Sequence, residues 1–484
     1  MARSKSAAKL IAMGRTARSW EAIDSRHTYV NAEDLITGAR GRDVAGQTAR
    51  LAAQFIDQNA AVLNEVGVTA DAVFDGSRVR LGFSCSSTIG AVPLRSPVSG
   101  RYDHGLVVHP RFQWAGIGAM LSQMGWRIVP QPLSLSLLPE SDRRIPRWVI
   151  ASIVLTRIER LLRELTRRFE LTSEERSSIR GRVDWSRYAT RNVGRARLLH
   201  VPCTFPDLRD DRYLRAAIRF TVRMQRESLA SQRAADPMTA ALIAKCDTIE
   251  HSLADVDSRR PSPRELDAWI RGPLRSPTYA NGIQAIEWTI GERGLAGLSD
   301  LQGLPWAMPM DQFFEAWAEA ILQTTARHIG GVIRTGRQRQ TVTPLVWDPP
   351  YTGSQRSLVP DIMLDRRDLA VIVDAKYKEH FEELDSTAWR NFGETIRERH
   401  RADLLQVLAY ANVVTSPRIV VCLAYPCSNE TWRSLAGRGS LFHRASVGGT
   451  GRDLRLLLTA FPMGERIDDV ARPLIAELRR IEAQ

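Results

Sequence analysis

Two carboxylates and an ammonium stand close together in the chain. Asp361 lies in Val359-Pro360-Asp361-Ile362-Met363-Leu364, and Asp374 and Lys376 lie in Val371-Ile372-Val373-Asp374-Ala375-Lys376. Both runs are apolar enough to be strands. A hairpin of the two brings Asp361 beside Asp374, and Lys376 projects from the same face as Asp374 because strand side chains alternate with period two. Two Asp carboxylates suit a hard cation, Mg²⁺ or alternatively Mn²⁺, which keeps several waters and binds a phosphate oxygen. The ammonium can orient or deprotonate an attacking water, so the chemistry is phosphodiester hydrolysis. Upstream, Glu315 in Phe313-Phe314-Glu315-Ala316-Trp317 sits on an otherwise apolar helix face, where an unpaired carboxylate is costly; a role as third metal ligand would explain it. Downstream, Gln406 and Tyr410 are four apart on one helix face, placed to contact a DNA phosphate or the scissile strand. Taken singly, each piece has a plainer reading: strand-end aspartates cap turns, Lys beside Asp makes a surface pair, and Gln and Tyr decorate helices. Their joint order favours a site.

Lysine usage singles out the same place. The chain has 62 arginines and 5 lysines, and two of those five fall in Asp374-Ala375-Lys376-Tyr377-Lys378. Arg is a planar, always-charged fork, whereas Lys is a compact ammonium whose protons can be aimed at one water or oxyanion.

The elements that must position these residues follow from periodicity. The last third reads as a helix at 310–328, strands at 341–347, 358–364 and 369–376, a helix at 401–414 and a strand at 418–425, an α-β-β-β-α-β order, with a further strand at 454–461 and a closing helix from Ile467. Residues 43–64 read as a helix. Short apolar runs broken by Gly and Pro between 78 and 138 read as strands, with His104 and His109 as structural histidines. A helical segment runs from Trp148 to Phe169, and further helices lie around 213–228 and 238–256. Pro261, Pro263, Pro273 and Pro277 mark a linker before residue 300. The expected organisation is α/β and multidomain: a basic arm at 1–25, a mixed, β-rich N-terminal domain at 26–140 that contacts a partner, a mainly helical middle region at 141–300, and the catalytic domain at 301–484.

Composition narrows the class. With 484 residues, 44% hydrophobic and 25% charged, the chain falls in the globular range, and its longest apolar runs fall far short of the roughly 18 residues of a membrane span. Five scattered cysteines suit small buried hydrophobes in a reducing cytosol. No phosphate-cradling P-loop is present, so the chain hydrolyses no nucleotide itself. The net charge is +13, and residues 176–197 hold seven Arg and one Asp interleaved with Trp185 and Tyr188. Arg180, Arg182, Arg187, Arg191 and Arg195 make that run a candidate phosphate-tracking surface with stacking faces, or else a solvated face packed on acidic neighbours or turned to a partner.

Glu315, Pro360-Asp361, Asp374-Ala375-Lys376 and Gln406-x-x-x-Tyr410 resemble the PD-(D/E)XK nuclease superfamily, in the subset carrying a Gln-x-x-x-Tyr helix. Gly181-Arg182-Val183-Asp184-Trp185, Val201-Pro202-Cys203, Tyr213-Leu214-Arg215-Ala216-Ala217, Phe314-Glu315 and the Asp374–Lys378 run are similar to the McrC family, the nuclease subunits of methylcytosine-type restriction systems. The similarity spans roughly residues 145–425; Asp211-Arg212 departs from the family's usual Asn-Arg. It implies a restriction-endonuclease-like core with Glu315, Asp361 and Asp374 on Mg²⁺ and Lys376, Gln406 and Tyr410 completing the site. It further implies a bacterial cytoplasmic endonuclease of an anti-phage restriction complex, acting on DNA when driven by a separate McrB-like AAA+ GTPase hexamer. The alternatives are an adaptor that regulates such a ring with its own site idle, and a free-standing nucleic-acid-binding protein.

Overall fold

In the computed structural model the described residues are all but 1–17, 36–43, 76–77, 113, 126, 134–146, 166–167, 210, 231–236, 272–275, 291–304, 382–393 and 449–450. Most of the expected basic arm lies outside them. The chain forms two units, one built from residues 1–146 together with 302–484, the other from 147–301.

The first unit opens with strands β1 (Arg18–Ile23) and β2 (His27–Asn31), helix α1 (Val44–Glu65), and β3 (Val68–Asp75), β4 (Arg78–Cys85), β5 (Thr88–Leu94) and β6 (His104–His109). Helix α2 (Trp114–Gln123) and the short β7 (Gln131–Pro132) follow. Trp20 is the centre of their core. Phe55 of α1 meets it edge-on at 5.3 Å, and His104 stacks on it at 5.0 Å, a structural role for that histidine.

The second unit holds α3 (Arg147–Glu164), an antiparallel sheet of β8 (Arg168–Arg176), β9 (Arg182–Val183) and β10 (Val201–Arg209), and α4 (Arg212–Ala230), α5 (Pro237–Ser252), α6 (Pro263–Arg271) and α7 (Pro277–Ile290). Two expectations change here. The helix from Trp148 ends at Glu164 rather than Phe169, because the following residues pair along the whole of β10 as a strand. The described part of the proline-punctuated stretch is helical rather than a linker: Pro263 and Pro277 open helices at the position where a missing N–H costs nothing, and Pro273 lies outside the described residues. Ser262 and Glu265 form a reciprocal capping box, the Ser262 amide donating to Glu265 Oε2 at 2.8 Å and the Glu265 amide to Ser262 Oγ at 3.3 Å.

The chain then returns to the first unit through β11 (Trp306–Pro309), which joins the sheet β1-β6-β5-β11-β7. Gly90 of β5 permits that pairing, since a Cβ there would lie 2.2 Å from the Trp306 carbonyl oxygen. Helix α8 (Met310–Ile329) follows directly, with Asp311 in its first turn and Arg327 and His328 in its last, both favourable to the helix dipole. The catalytic candidates lie on or around a mixed sheet of order β12-β15-β16-β17-β19-β18: β12 (Val332–Thr335), β15 (Ile362–Asp365), β16 (Leu369–Ala375), β17 (Arg418–Cys427), β18 (Phe442–Val447) and β19 (Asp453–Pro462). Between β12 and β15 the ladder β13 (Thr343–Pro344) and β14 (Ser357–Leu358) forms a separate hairpin. Helix α9 (Glu394–Tyr410) connects the parallel β16 and β17; α10 (Asn429–Gly437) and α11 (Ile467–Glu482) complete the unit.

Leu-Ala-Val-Ile-Val-Asp in β16 is buried throughout, as expected of a strand covered on both faces, by α8 on one side and α9 on the other. Val407, Tyr410, Ala411 and Val414 pack on Ile372, Ile419, Val421 and Leu423. The first strand of the sheet is not the expected 341–347 but Val332–Thr335, entered through Gly331, whose φ of +114° and 2.9 Å Cβ approach to the Asp365 carbonyl oxygen make any other residue strained there. The tract 341–347 instead belongs to the protruding hairpin. All five cysteines are free, and four are buried. Among the described residues no helix is long and apolar enough to cross a membrane.

Candidate active site

Antiparallel pairing of β15 with β16 sets Ile362 opposite Val373, which places Asp361 and Asp374 side by side where the two strands meet their connecting loops. The Ala375 amide donates to Asp361 Oδ2 at 2.8 Å, so the backbone of one strand fixes the carboxylate of the other. Lys376 Nζ lies 2.8 Å from Asp374 Oδ2 and donates to Gln406 Oε1 at 2.9 Å. Gln406 Nε2 in turn donates to the Tyr410 hydroxyl at 2.8 Å. Asp361, Asp374, Lys376, Gln406 and Tyr410 therefore form one connected chain, its last two members carried one turn apart on α9.

Charge is crowded here. Burial first, and then the neighbouring Asp374 charge, raise the Asp361 carboxyl above the ordinary range, against the Ala375 N–H and Lys376. Burial raises Asp374 as well, in spite of Lys376. Burial alone would pull Lys376 down, but the two aspartates outweigh it and its ammonium is held more firmly. Glu315, half-buried on α8, is pushed up to about 7 by burial, eased by Arg337 and reinforced by the Glu319, Asp311 and Asp374 charges. The Asp361–Asp374 pair thus costs free energy when charged, and both Asp374 oxygens are sealed from solvent without a hydrogen bond, the Lys376 contact being an ion pair without hydrogen-bond angles.

An all-oxygen donor set of this kind fits a hard divalent cation, whose charge would relieve the repulsion and occupy the sealed Asp374 oxygens. Among the described residues no three His, Cys, Asp or Glu side chains are gathered closely enough to hold an ion unaided. Waters or a phosphate oxygen would then complete the shell, as Mg²⁺ prefers.

Several residues that bear on the site were not apparent beforehand. Glu319, one turn beyond Glu315, is the more deeply buried of the two and takes Arg127 at 2.6 Å and Arg337 at 3.3 Å. Lys378 is committed to Asp403, at 2.7 and 2.8 Å, and Asp403 accepts from the Tyr425 hydroxyl at 2.9 Å. His380 stacks on both His400 and Tyr425 at 4.6 Å and is lowered to about 4 by burial and His400. The clustered lysines flagged Lys378, and Asp403 lies one turn before Gln406 on α9; nothing local flagged Arg127 or Arg337.

The five arginines of the basic run lie on the small sheet of the second unit and its following turns. Arg180 covers the Phe205 ring at 4.5 Å, and Arg187 pairs with Glu175 at 3.6 Å. Arg182, Arg191 and Arg195 are exposed, as is Trp185, which meets Tyr188 edge-on at 6.0 Å.

A family model described as McrBC 5-methylcytosine restriction system component matches residues 103–426. Two solved structures are similar at 12% identity. One is a refined half-complex from a tetradecameric assembly of Thermococcus gammatolerans McrB AAA+ hexamers with bound McrC; the match covers 96% of this chain and 100% of that chain, with a TM-score of 0.41. The other is a cryo-EM structure of the Thermococcus gammatolerans McrBC complex, with 63% of this chain and 88% of that one covered and a TM-score of 0.26. No curated protein matches the chain significantly.

Proposed function

Because the chain belongs to the family of McrBC 5-methylcytosine restriction system components, we propose that it is the metal-dependent DNA endonuclease subunit of a restriction complex, with a PD-(D/E)XK site in residues 302–484 and a McrB-like AAA+ GTPase hexamer as its driver. The observation that carries this reading is the convergence of Asp361 and Asp374 across β15 and β16, with Lys376 joined to Gln406 and Tyr410. An idle adaptor site would have no need to keep two buried, mutually repelling carboxylates.

Asp361 and Asp374 are the residues that would hold Mg²⁺ or Mn²⁺, with Glu315 acting through its charge or an intervening water; the ion would polarise the scissile phosphate and lower the pKa of a coordinated water. Lys376 stays protonated beside the aspartates, so its work is to aim N–H donors at the attacking water and the developing phosphate charge rather than to accept a proton. Gln406 fixes the ammonium by accepting a hydrogen bond from it through Oε1, and the Tyr410 hydroxyl fixes Gln406 by accepting from its Nε2. Arg182, Arg191 and Arg195 are assigned to the DNA backbone. The test is cleavage of methylated plasmid by the purified chain plus its cognate ring, GTP and Mg²⁺: the wild-type chain should cut and Asp374→Ala should not. Equal cutting by both would remove the site assignment, and no cutting by the wild type under any loading would favour the adaptor.

A further inference from the structure

The hairpin between β12 and β15 has no part in the catalytic set, yet its base is fastened to it. The Gly336 amide donates to the Asp361 carbonyl at 2.8 Å, and the Thr341 hydroxyl to the Pro360 carbonyl at 2.6 Å. From there the chain runs outward through β13 and returns through β14. The projection is ordered by its own contacts. Leu345 donates to the Arg356 carbonyl at 2.8 Å, the Trp347 indole N–H to the Gln355 carbonyl at 3.0 Å, and Tyr351 meets Trp347 edge-on at 5.8 Å. Its outer surface is apolar and bare: Val346 is 91% exposed and Tyr351 59%, with Trp347 and Val342 also open to solvent. Exposing such residues on an ordered loop is unfavourable unless something covers them.

Charge identifies what does. Arg339 and Arg356 are exposed and form no ion pair among the described residues, while Asp348 is the one acid between them. Two residues, Val359 and Pro360, separate Leu358 at the end of β14 from Asp361. An apolar, aromatic tip flanked by exposed guanidinium groups, on a hairpin whose base is bonded to Pro360 and Asp361, matches a duplex, whose phosphates would meet the arginines and whose bases would meet the rings. Val346 has no polar side-chain atom and the Trp347 N–H is already used, so the tip meets its partner mainly through apolar surface. It is therefore suited to wedging between base steps from the minor groove rather than to reading the major groove.

We propose that the 343–358 hairpin is a DNA wedge, in which Val346, Trp347 and Tyr351 enter the minor groove of the duplex held at the Asp361/Asp374 site and Arg339 and Arg356 contact the flanking phosphates. This rests on the nuclease reading and adds to it the element that grips and deforms the substrate.

The test uses the full chain and a labelled duplex carrying 2-aminopurine at successive steps from the mapped cleavage position, in metal-free buffer so that no cutting occurs. Wild-type protein should raise 2-aminopurine fluorescence at one step near the cut. The double change Trp347→Ala, Tyr351→Ala should abolish that signal and weaken binding, read by anisotropy, roughly tenfold or more. Val346→Ser, at a position too exposed to affect folding, should lower the signal in the same direction. Affinity and fluorescence unchanged in both variants would overturn the wedge. So would intact DNA binding with loss of stimulation of the AAA+ ring, or a fall from dimer to monomer, since the tip would then cover a protein partner or a second copy. Wild-type protein that neither binds nor cuts DNA would overturn both this inference and the nuclease reading, whereas wild-type cutting with unaffected variants sinks the wedge alone.

Discussion

Arg111, just beyond strand β6, donates to the carbonyl oxygen of Tyr377 at 2.9 Å and lies 4.1 Å above its ring. Tyr377 stands between Lys376 and Lys378, so a residue that follows the N-terminal strand β6 holds the turn that carries the Lys376 ammonium. The hold is reinforced by buried Asp24, whose Oδ1 accepts from the Arg111 amide at 2.6 Å and whose Oδ2 lies 3.7 Å from its Nε, and by Arg26 on Glu379 at 3.0 Å.

Replacing Arg111 by Ala leaves buried Asp24 with the backbone amide of residue 111 but without the guanidinium, a loss on the order of 3–5 kcal/mol of stability. Thermal unfolding should show a large drop, and Asp24→Asn added to Arg111→Ala should recover part of it. Recovery of stability without recovery of cleavage would mark the arginine as a positioning residue for Lys376; full recovery of both would reduce it to a structural one.

The crowded carboxylates make stability depend on pH and metal together. Glu315, Asp361 and Asp374 all have folded pKa values above their ordinary ones. A raised acid contributes stability that is present below its unfolded value, about 4, and is lost as pH rises through the folded value, which for Glu315 is about 7. Metal-free protein should therefore lose stability from this cluster between about pH 4 and at least about pH 7, whereas Mg²⁺, which binds the deprotonated form, should raise the melting temperature more at pH 8 than at pH 5. Asp374→Asn should melt higher than the metal-free wild type at pH 8 and lose most of the Mg²⁺ response. An Mg²⁺ shift equal at both pH values would contradict the ligand assignment.

The Lys376–Gln406–Tyr410 chain predicts graded losses. Lys376→Arg should cut at least about a hundredfold more slowly, because a planar guanidinium cannot occupy the space between Asp374 and Gln406 as a compact ammonium does. Tyr410→Phe keeps the buried ring and removes only the hydroxyl that accepts from Gln406, worth about 1 kcal/mol, or about fivefold in rate. Single-turnover cleavage rates at saturating metal would measure both; a Tyr410→Phe effect as large as that of Lys376→Arg would mean the hydroxyl touches substrate itself.

How much of this could be read beforehand depended on sequence distance. Asp361, Asp374 and Lys376 obey the two-residue period of adjacent strands, and Gln406 and Tyr410 the four-residue spacing of a helix; both are local rules that need no knowledge of the rest of the chain. The first strand of the sheet failed that treatment. Val332–Thr335 is only four residues long and half exposed, while the more apolar-looking 341–347 pairs over two residues and projects into solvent. Prolines 263 and 277 looked like breaks because a proline ends one helix and opens the next with equal ease. Arg111 and Arg127 reach Tyr377 and Glu319 across separations of 266 and 192 residues, so no periodic pattern in either segment marks the contact.

Geometry also divides the basic run, and DNA binding should divide with it. Arg180 is spent on Phe205 and Arg187 on Glu175, leaving Arg182, Arg191 and Arg195 as the arginines of the set free to meet phosphates. Each phosphate contact contributes about 0.9 to the slope of log K against log salt on duplex DNA. Changing these three to Ala should flatten the slope by about 2–3 and weaken binding on every sequence alike, since phosphate contacts carry no base information. Changing Arg180 and Arg187 to Ala should instead lower the melting temperature of the second unit and leave the slope nearly unchanged. Anisotropy titrations at several salt concentrations, paired with thermal melts, separate the two outcomes. If the triple change leaves the slope untouched but abolishes stimulation of the AAA+ ring, the exposed arginines serve the protein partner and DNA must be gripped elsewhere, with the hairpin beside Asp361 as the first place to look.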